Sequence, residues 1–165
     1  MAKVTLKGNP VSLAGNLPAV GSAAPDFKLA GTDLGEVSLK DFAGKTLVLN
    51  IFPSVDTPVC AASVRRFNAD LDKMGGAAVL CVSADLPFAL GRFCGAEGLN
   101  AVKPASDMRD RDFGVRYGVK IVDGPLAGLL ARAVMVVKNG KVSYVQLVPE
   151  ITQEPDYAAA LAAAK

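Results

Sequence analysis

Polar and apolar residues alternate at the start of the chain, in KVTLKGNPVSL, where Val4, Leu6, Val11 and Leu13 flank a Gly8-Asn9-Pro10 turn. A period of two on both sides of a turn predicts a β-hairpin. Residues 15–27, GNLPAVGSAAPDF, are small, Gly- and Pro-rich and read as loop. Val37 and Leu39 mark a short strand or turn. The pattern then changes. Residues 45–52 (KTLVLNIF) and 77–84 (AAVLCVSA) are continuous apolar runs, the signature of strands buried on both faces. Between them Val59, Val64, Phe67 and Leu71 recur at helical spacing and predict a helix over 58–73. Further helices are predicted from Pro87 to about Glu97, over 110–119, and over the terminal EPDYAAALAAAK with Pro155 in its first turn. Residues 131–148 form the clearest hairpin, with Asn139-Gly140 supplying a type I′ turn.

Strand, helix, strand, helix, then a terminal hairpin and helix imply an α/β fold with a mixed sheet. That order is thioredoxin-like, although the C-x-x-C of thioredoxin is missing. There are no repeats and no linker, so residues 1–165 are expected to form one domain. A chain of this length can bury roughly 70% of its unfolded surface and needs neither disulfide nor metal to hold a core.

Composition narrows the function classes. Hydrophobic residues make up 51% and charged residues 21%, a globular balance. The net charge is +2, and the nearest approach to a basic cluster is the pair Arg65-Arg66, so neither nucleic acid nor an anionic membrane is an expected partner. The N-terminal MAKVTLKGNP lacks the apolar run of a signal peptide, and no segment approaches the ~18 apolar residues of a membrane span. The expected location is the cytoplasm, where a cysteine pair is more often catalytic or redox-active than structural. With three scattered cysteines and no histidine, no zinc site and no cofactor are expected.

The cysteines differ in setting. In VDTPVC, Thr57 can serve as N-cap and Pro58 as the first helical residue, which puts Cys60 third in the helix. Free N–H groups and the positive end of the helix dipole there favour a thiolate. The competing reading is a small buried hydrophobe. Cys81, inside AVLCV, is mid-strand with no charge near it and reads as core filler. Cys94, in RFCGAEG, sits late in a short helix beside Arg92 and among glycines, and looks placed for exposure. The lack of histidine excludes the usual cysteine protease or acyltransferase base. Any activation of Cys60 must come from fixed positive potential, from the helix dipole or an arginine.

PSVDTPVC, from Pro53 to Cys60, resembles the P-x-x-x-T-x-x-C motif of peroxiredoxins. The wider text is similar to the bacterial thiol peroxidases, or atypical 2-Cys peroxiredoxins. LNIFPSVDTPVCAASVRRFN, SADLPFALGRFCGAEGL, YGV, DGPLAGLLARAV and EITQEPDY carry that resemblance over nearly the whole chain. It implies a thioredoxin-like (peroxiredoxin) fold, a central mixed β-sheet flanked by helices with an extra N-terminal β-hairpin. It implies a peroxidatic Cys60, a resolving Cys94 in the same chain and pocket roles for Pro53, Thr57 and Arg132. It further implies a homodimer with thioredoxin as electron donor, acting on hydrogen peroxide and alkyl hydroperoxides. Phe52, Phe88 and Leu126 hint at an apolar groove for the latter.

Two other readings stay open on the residues alone. One is a peroxide-sensing switch in which a Cys60–Cys94 disulfide controls a binding partner. The other is a structural thioredoxin-fold module. Pro53, Thr57 and Arg132 together favour a pocket, which a switch does not need.

Overall fold

The computed structural model describes residues 2–165. The chain opens with β1 (Lys3–Leu6) and β2 (Asn9–Ala14), followed by β3 (Lys28–Gly31) and β4 (Glu36–Ser38). The core then runs β5 (Leu47–Ile51), α1 (Pro58–Asp70), β6 (Ala78–Ser83), α2 (Pro87–Glu97) and β7 (Lys103–Ser106). The short α3 (Phe113–Arg116) and β8 (Lys120–Ile121) lead to the hairpin of β9 (Ala133–Lys138) and β10 (Lys141–Leu147), and α4 (Tyr157–Ala164) ends the chain.

The main sheet has seven strands in the order β10-β9-β5-β6-β7-β3-β4. β5, β6 and β7 run parallel, and β9 pairs antiparallel with β5. Parallel strands need crossovers, and α1 and α2 supply them. The sheet is therefore mixed and thioredoxin-like. β5 is buried at all five positions, as its unbroken apolar sequence requires. Its alternate residues serve two cores. Val48 packs with Val79, Val134 and Val136 against Val64 and Phe67 of α1, Leu90 and Phe93 of α2 and Ala160 of α4. Leu47, Leu49 and Ile51 join Leu80, Val82 and Met135 on the other face, under Val4, Val11 and Leu13 of the N-terminal hairpin. That hairpin, with β8, makes a separate three-stranded sheet. No described helix is long and apolar enough to cross a membrane.

Several boundaries differ from the sequence-based expectation. The first turn is Lys7-Gly8 (φ 50° and 83°), with Asn9 and Pro10 already in β2 opposite Leu6 and Thr5. Two residues of positive φ match strand twist, so the turn closes one residue earlier than the Gly-Asn-Pro string suggests. The expected helix over 110–119 shrinks to the single turn Phe113–Arg116. Pro155 precedes α4 instead of opening it: the N-cap is Asp156, whose side chain accepts from the Ala159 N–H at 3.0 Å. The α1 helix stops at Asp70 and tightens into a 3-10 turn over Leu71–Met74. β3 and β7 lie in segments with no strand-like alternation, and their pairing comes from neighbours far along the chain.

Candidate active site

The chain leaves β5 at Ile51 and reaches α1 seven residues later through a loop pinned by Asp85, just beyond β6. Ser54 Oγ donates to Asp85 Oδ1 (2.6 Å) and the Val55 N–H to Oδ2 (2.9 Å), while Ser83 Oγ donates to the same Oδ2 (2.6 Å). One carboxylate thus fixes the approach to α1 from the end of the adjacent parallel strand. Pro53 is buried within this loop, where its missing N–H leaves no donor unsatisfied.

Thr57 occupies the N-cap with extended backbone (φ −103°, ψ 144°), and Pro58 is the first helical residue, as expected. Its hydroxyl, however, does not cap the helix. It donates to the Ser54 carbonyl at 2.9 Å. The oxygen lone pairs of Thr57 are therefore what the cleft meets. The first intrahelical bond runs from the Ala61 N–H to Thr57 O, so the N–H groups of Val59 and Cys60 precede the helical ladder.

Cys60 is fully buried, and Arg132, directly before β9, is 2% exposed. Arg132 Nη2 donates to Cys60 Sγ at 3.2 Å, and Nε donates to the Ile151 carbonyl at 2.9 Å. Nη1 has no protein partner. No salt bridge of the described residues involves Arg132. A buried guanidinium without a carboxylate is costly unless another anion accompanies it. Cys60 Sγ is the one side-chain partner of the guanidinium among the described residues, and Nη1 is a donor left over for a ligand.

A cleft of about 480 Å³ opens over this arrangement. Pro53, Thr57, Val59 and Arg132 form its floor. Leu6, Lys7 and Asn9 of the first hairpin, with Ile151 and Thr152, form one wall, and Pro125 and Leu126 another. Of the three apolar residues expected in a groove, only Leu126 is there. Phe52 points into the core and is fully buried, and Phe88 is 66% exposed on α2, away from the cleft.

The other cysteines, Cys81 on β6 and Cys94 on α2, share the core between sheet and helices with Cys60. All three are free thiols. Cys81 is buried at 1% exposure, and burial pushes its pKa up to about 12, opposed by an Asn50 Nδ2 contact at 3.7 Å. It is an inert core residue, as its sequence setting implied. Cys94 corrects the expectation of exposure: it is 8% exposed, and burial raises its pKa. Leu90, Phe93 and Cys94 share the face of α2 that packs on the sheet, which sequence position alone does not assign. Two ion pairs join α2 to the Cys60 side of the molecule, Arg65–Glu97 and Arg92–Asp56 (3.0 Å). The Arg65 guanidinium also lies 5.8 Å from the Phe93 ring centroid. Arg66, the other half of the basic pair, bonds Asp70 and stacks over Tyr157 at 4.8 Å.

Sequence reading singled out Cys60, Cys94, Thr57, Pro53 and Arg132; Thr57, Pro53 and Arg132 line one cleft, Cys60 is buried against Arg132, and Cys94 lies apart from it on α2. Sequence reading missed Asp85, the Ile151 carbonyl and the hairpin wall. A carboxylate directly after a buried strand, in SAD, was the available signal for Asp85; the other two have no local signature.

A thioredoxin-like sheet whose central strand feeds a helix with a buried cysteine in its first turn, under a guanidinium, defines the peroxiredoxin class. Residues 19–161 match the Redoxin family. The chain is 62% identical to the thiol peroxidase of Mycobacterium tuberculosis, covering 99% of this chain and 98% of that protein. It is 57% identical to the thiol peroxidase of Corynebacterium glutamicum, covering 99% of each. The crystal structure of a peroxiredoxin-like protein from Aquifex aeolicus superposes with a TM-score of 0.94 at 45% identity, covering 99% of this chain and 96% of that one. The chain belongs to the Redoxin family and, within it, to the bacterial thiol peroxidases, peroxiredoxin-type oxidoreductases that reduce peroxides.

Proposed function

We propose that the protein reduces hydrogen peroxide and organic hydroperoxides with Cys60 as peroxidatic and Cys94 as resolving cysteine. The observation that carries this reading is the Arg132 Nη2 to Cys60 Sγ contact of 3.2 Å at the floor of an apolar-walled cleft. The Cys60 thiolate attacks the terminal oxygen of the hydroperoxide. A sulfur–oxygen bond forms, the O–O bond breaks, and the alkoxide leaves as alcohol after taking a proton. Sulfur has lost two electrons to the peroxide and is a sulfenic acid. The Cys94 thiolate then attacks that sulfur, the S–O bond breaks, hydroxide leaves and takes up a proton as water, and an intramolecular disulfide forms. A thioredoxin-type dithiol returns both thiols by exchange.

Thiolate formation can explain only part of a peroxidase rate. An ordinary thiol is roughly 3% ionised at pH 7, so complete ionisation raises the reactive fraction by about 30-fold. Enzymes commonly reach ~10⁶-fold or more. The rest is assigned to stabilising negative charge on the breaking O–O bond. Arg132 Nη1, buried and unpartnered, and the N–H groups of Val59 and Cys60 are the donors. Thr57, its proton held by Ser54 O, accepts the O–H of the hydroperoxide and orients it. Pro53 shields the sulfur from water.

Cys60 opens α1, and Cys94 faces the sheet from α2. A disulfide wants Cα atoms within about 7 Å. Residues 87–98 and the first turn of α1 therefore open locally in each cycle. The protein works as a homodimer in the cytoplasm, taking electrons from thioredoxin.

Rapid-mixing oxidation of three variants tests this. Cys60→Ser is expected to consume no peroxide. Cys94→Ser should consume about one equivalent and then stop, and Cys81→Ser should turn over nearly as the parent does. The oxidised parent should migrate as a monomer on a non-reducing denaturing gel. Full thioredoxin-linked turnover of Cys94→Ser, or a covalent dimer as main product, overturns the resolving assignment.

A further inference from the structure

The peroxidase chemistry uses the floor of the cleft and leaves its hairpin wall unexplained. That wall is the Lys7-Gly8 turn, whose two residues both have positive φ (50° and 83°). Consecutive N–H groups at a tight turn normally point to water. Here they point to one carboxylate from the other end of the chain. Glu150 Oε1 accepts from the Gly8 N–H (2.9 Å) and Thr5 Oγ1 (2.9 Å). Glu150 Oε2 accepts from the Lys7 N–H (3.2 Å), the Thr152 N–H (2.9 Å) and Thr152 Oγ1 (2.8 Å). Backbone bonds flank the clasp: Thr5 N–H to Pro149 O (2.7 Å) and Ile151 N–H to Thr5 O (2.9 Å). These hydrogen bonds hold the Glu150 carboxyl at about 2, well below its ordinary value.

Everything the clasp fastens lines the cleft or borders it. Leu6, Lys7 and Asn9 lie on one side of it, and Ile151 and Thr152 on the other. We propose that Glu150 is a positioning residue that holds the β1–β2 turn over the Cys60 cleft and so sets the preference for bulky organic hydroperoxides over hydrogen peroxide. The inference rests on the peroxidase reading of that cleft. Hydrogen peroxide has two heavy atoms and meets only the floor. A hydroperoxide with a large apolar substituent must lay it against Leu6, Ile151 and Leu126, and it gains from the wall only while the wall is in place.

Glu150→Gln replaces one acceptor oxygen with an NH₂ donor, and either orientation of the amide leaves at least one of the Gly8, Lys7 and Thr152 N–H groups without its acceptor, so the clasp is weakened. The test is the second-order rate constant for oxidation of the reduced full-length chain, by cumene hydroperoxide and by hydrogen peroxide separately. A pocket contact of methylene size is worth about 10-fold or more in discrimination. The ratio of the two constants should therefore fall by about 10-fold in the variant, with the hydrogen peroxide constant falling by less than ~3-fold. Amide hydrogen exchange at Lys7 and Gly8 should accelerate in parallel. Glu150→Asp keeps the charge but shortens the reach, and it should lower the ratio in the same direction. It decides the matter if Glu150→Gln does not fold. An unchanged ratio overturns the proposal. So does an equal loss with both peroxides, which would place the role of Glu150 in Arg132 or in overall stability. A parent protein that reacts with neither peroxide would instead refute the peroxidase reading itself.

Discussion

The surroundings of Cys60 and of Cys94 are built on opposite plans. Cys60 sits where fixed groups converge: a loop pinned by Asp85, a helix start, and a buried arginine held by the Ile151 carbonyl. Cys94 sits on a helix containing Gly91 and Gly95, its sulfur desolvated, its outer face tied down by ion pairs between largely exposed side chains. Such pairs contribute ~0–1 kcal/mol each, and each helical glycine weakens the helix by roughly 1 kcal/mol relative to alanine. In the proposed cycle the first cysteine reacts among fixed groups, and the second is released from its helix. A disulfide cycle needs both properties, and the molecule separates them onto two helices instead of compromising within one.

The comparison breaks most sharply at Arg132. Lysine keeps the charge but cannot reach the Ile151 carbonyl and Cys60 Sγ from one rigid fork. Arg132→Lys is expected to lower the second-order rate constant of Cys60 oxidation by roughly 10²-fold, measured by rapid mixing with hydrogen peroxide. The rate at which preformed sulfenic acid becomes disulfide should stay within about 3-fold of the parent, because in the proposed cycle it is limited by opening of α2. Equal losses in both steps would mean that the two regions are not independent.

Acidity separates them next. Burial raises the Cys94 pKa, so closed α2 holds the thiol proton more tightly than the opened segment does. The stability this lends to the closed form is complete below the ordinary thiol value of about 8.5 and is lost as pH climbs above it. Glu150 has the opposite sign: held at about 2, it favours the clasped wall at every pH above the ordinary carboxylate range, and that contribution is lost only as pH falls toward 2. Resolution should therefore accelerate as pH rises above about 8.5. The ratio of cumene hydroperoxide to hydrogen peroxide rate constants should stay flat between pH 5 and 9. A ratio that drifts while resolution does not would reverse the assignment of rigid and labile regions.

The smallest expected effect is at Gly91. A Cβ there would lie 3.6 Å and 3.7 Å from Thr32 Cβ and Cγ2, ordinary van der Waals contact, and Gly91 is in the interior of α2. Gly91→Ala should stabilise the closed helix by up to ~1 kcal/mol. Disulfide formation should slow by about 5-fold at most while Cys60 oxidation is unaffected. The longer-lived sulfenic acid should yield more sulfinic acid at high peroxide, detectable as a mass gain on the Cys60 peptide. Resolution at the parental rate in a variant with a demonstrably more stable helix would show that opening of α2 does not limit the cycle.

Features governed by neighbours in sequence were legible in the sequence. The unbroken apolar runs marked β5 and β6, Asn139-Gly140 marked the last hairpin, and Thr57-Pro58 placed Cys60 in the first turn of a helix. Cys81 was legible as core because a mid-strand position in an apolar run has only one kind of surroundings. Elements stabilised by distant partners were not. β7 is Lys-Pro-Ala-Ser, which carries no strand pattern and becomes a strand because β6 and β3 flank it. The burial of Cys94 depends on which face of α2 meets the sheet. Arg132 was named through family resemblance, but only the fold brings it 72 positions back along the chain to Cys60 and leaves it without a carboxylate. Glu150 reaches Gly8 across 142 positions. Local sequence sets backbone conformation and periodicity, because those depend on sterics and hydrogen bonds within a few residues. The partners of a buried charge, and the wall that closes a cleft, are chosen by chain topology, which no short window contains.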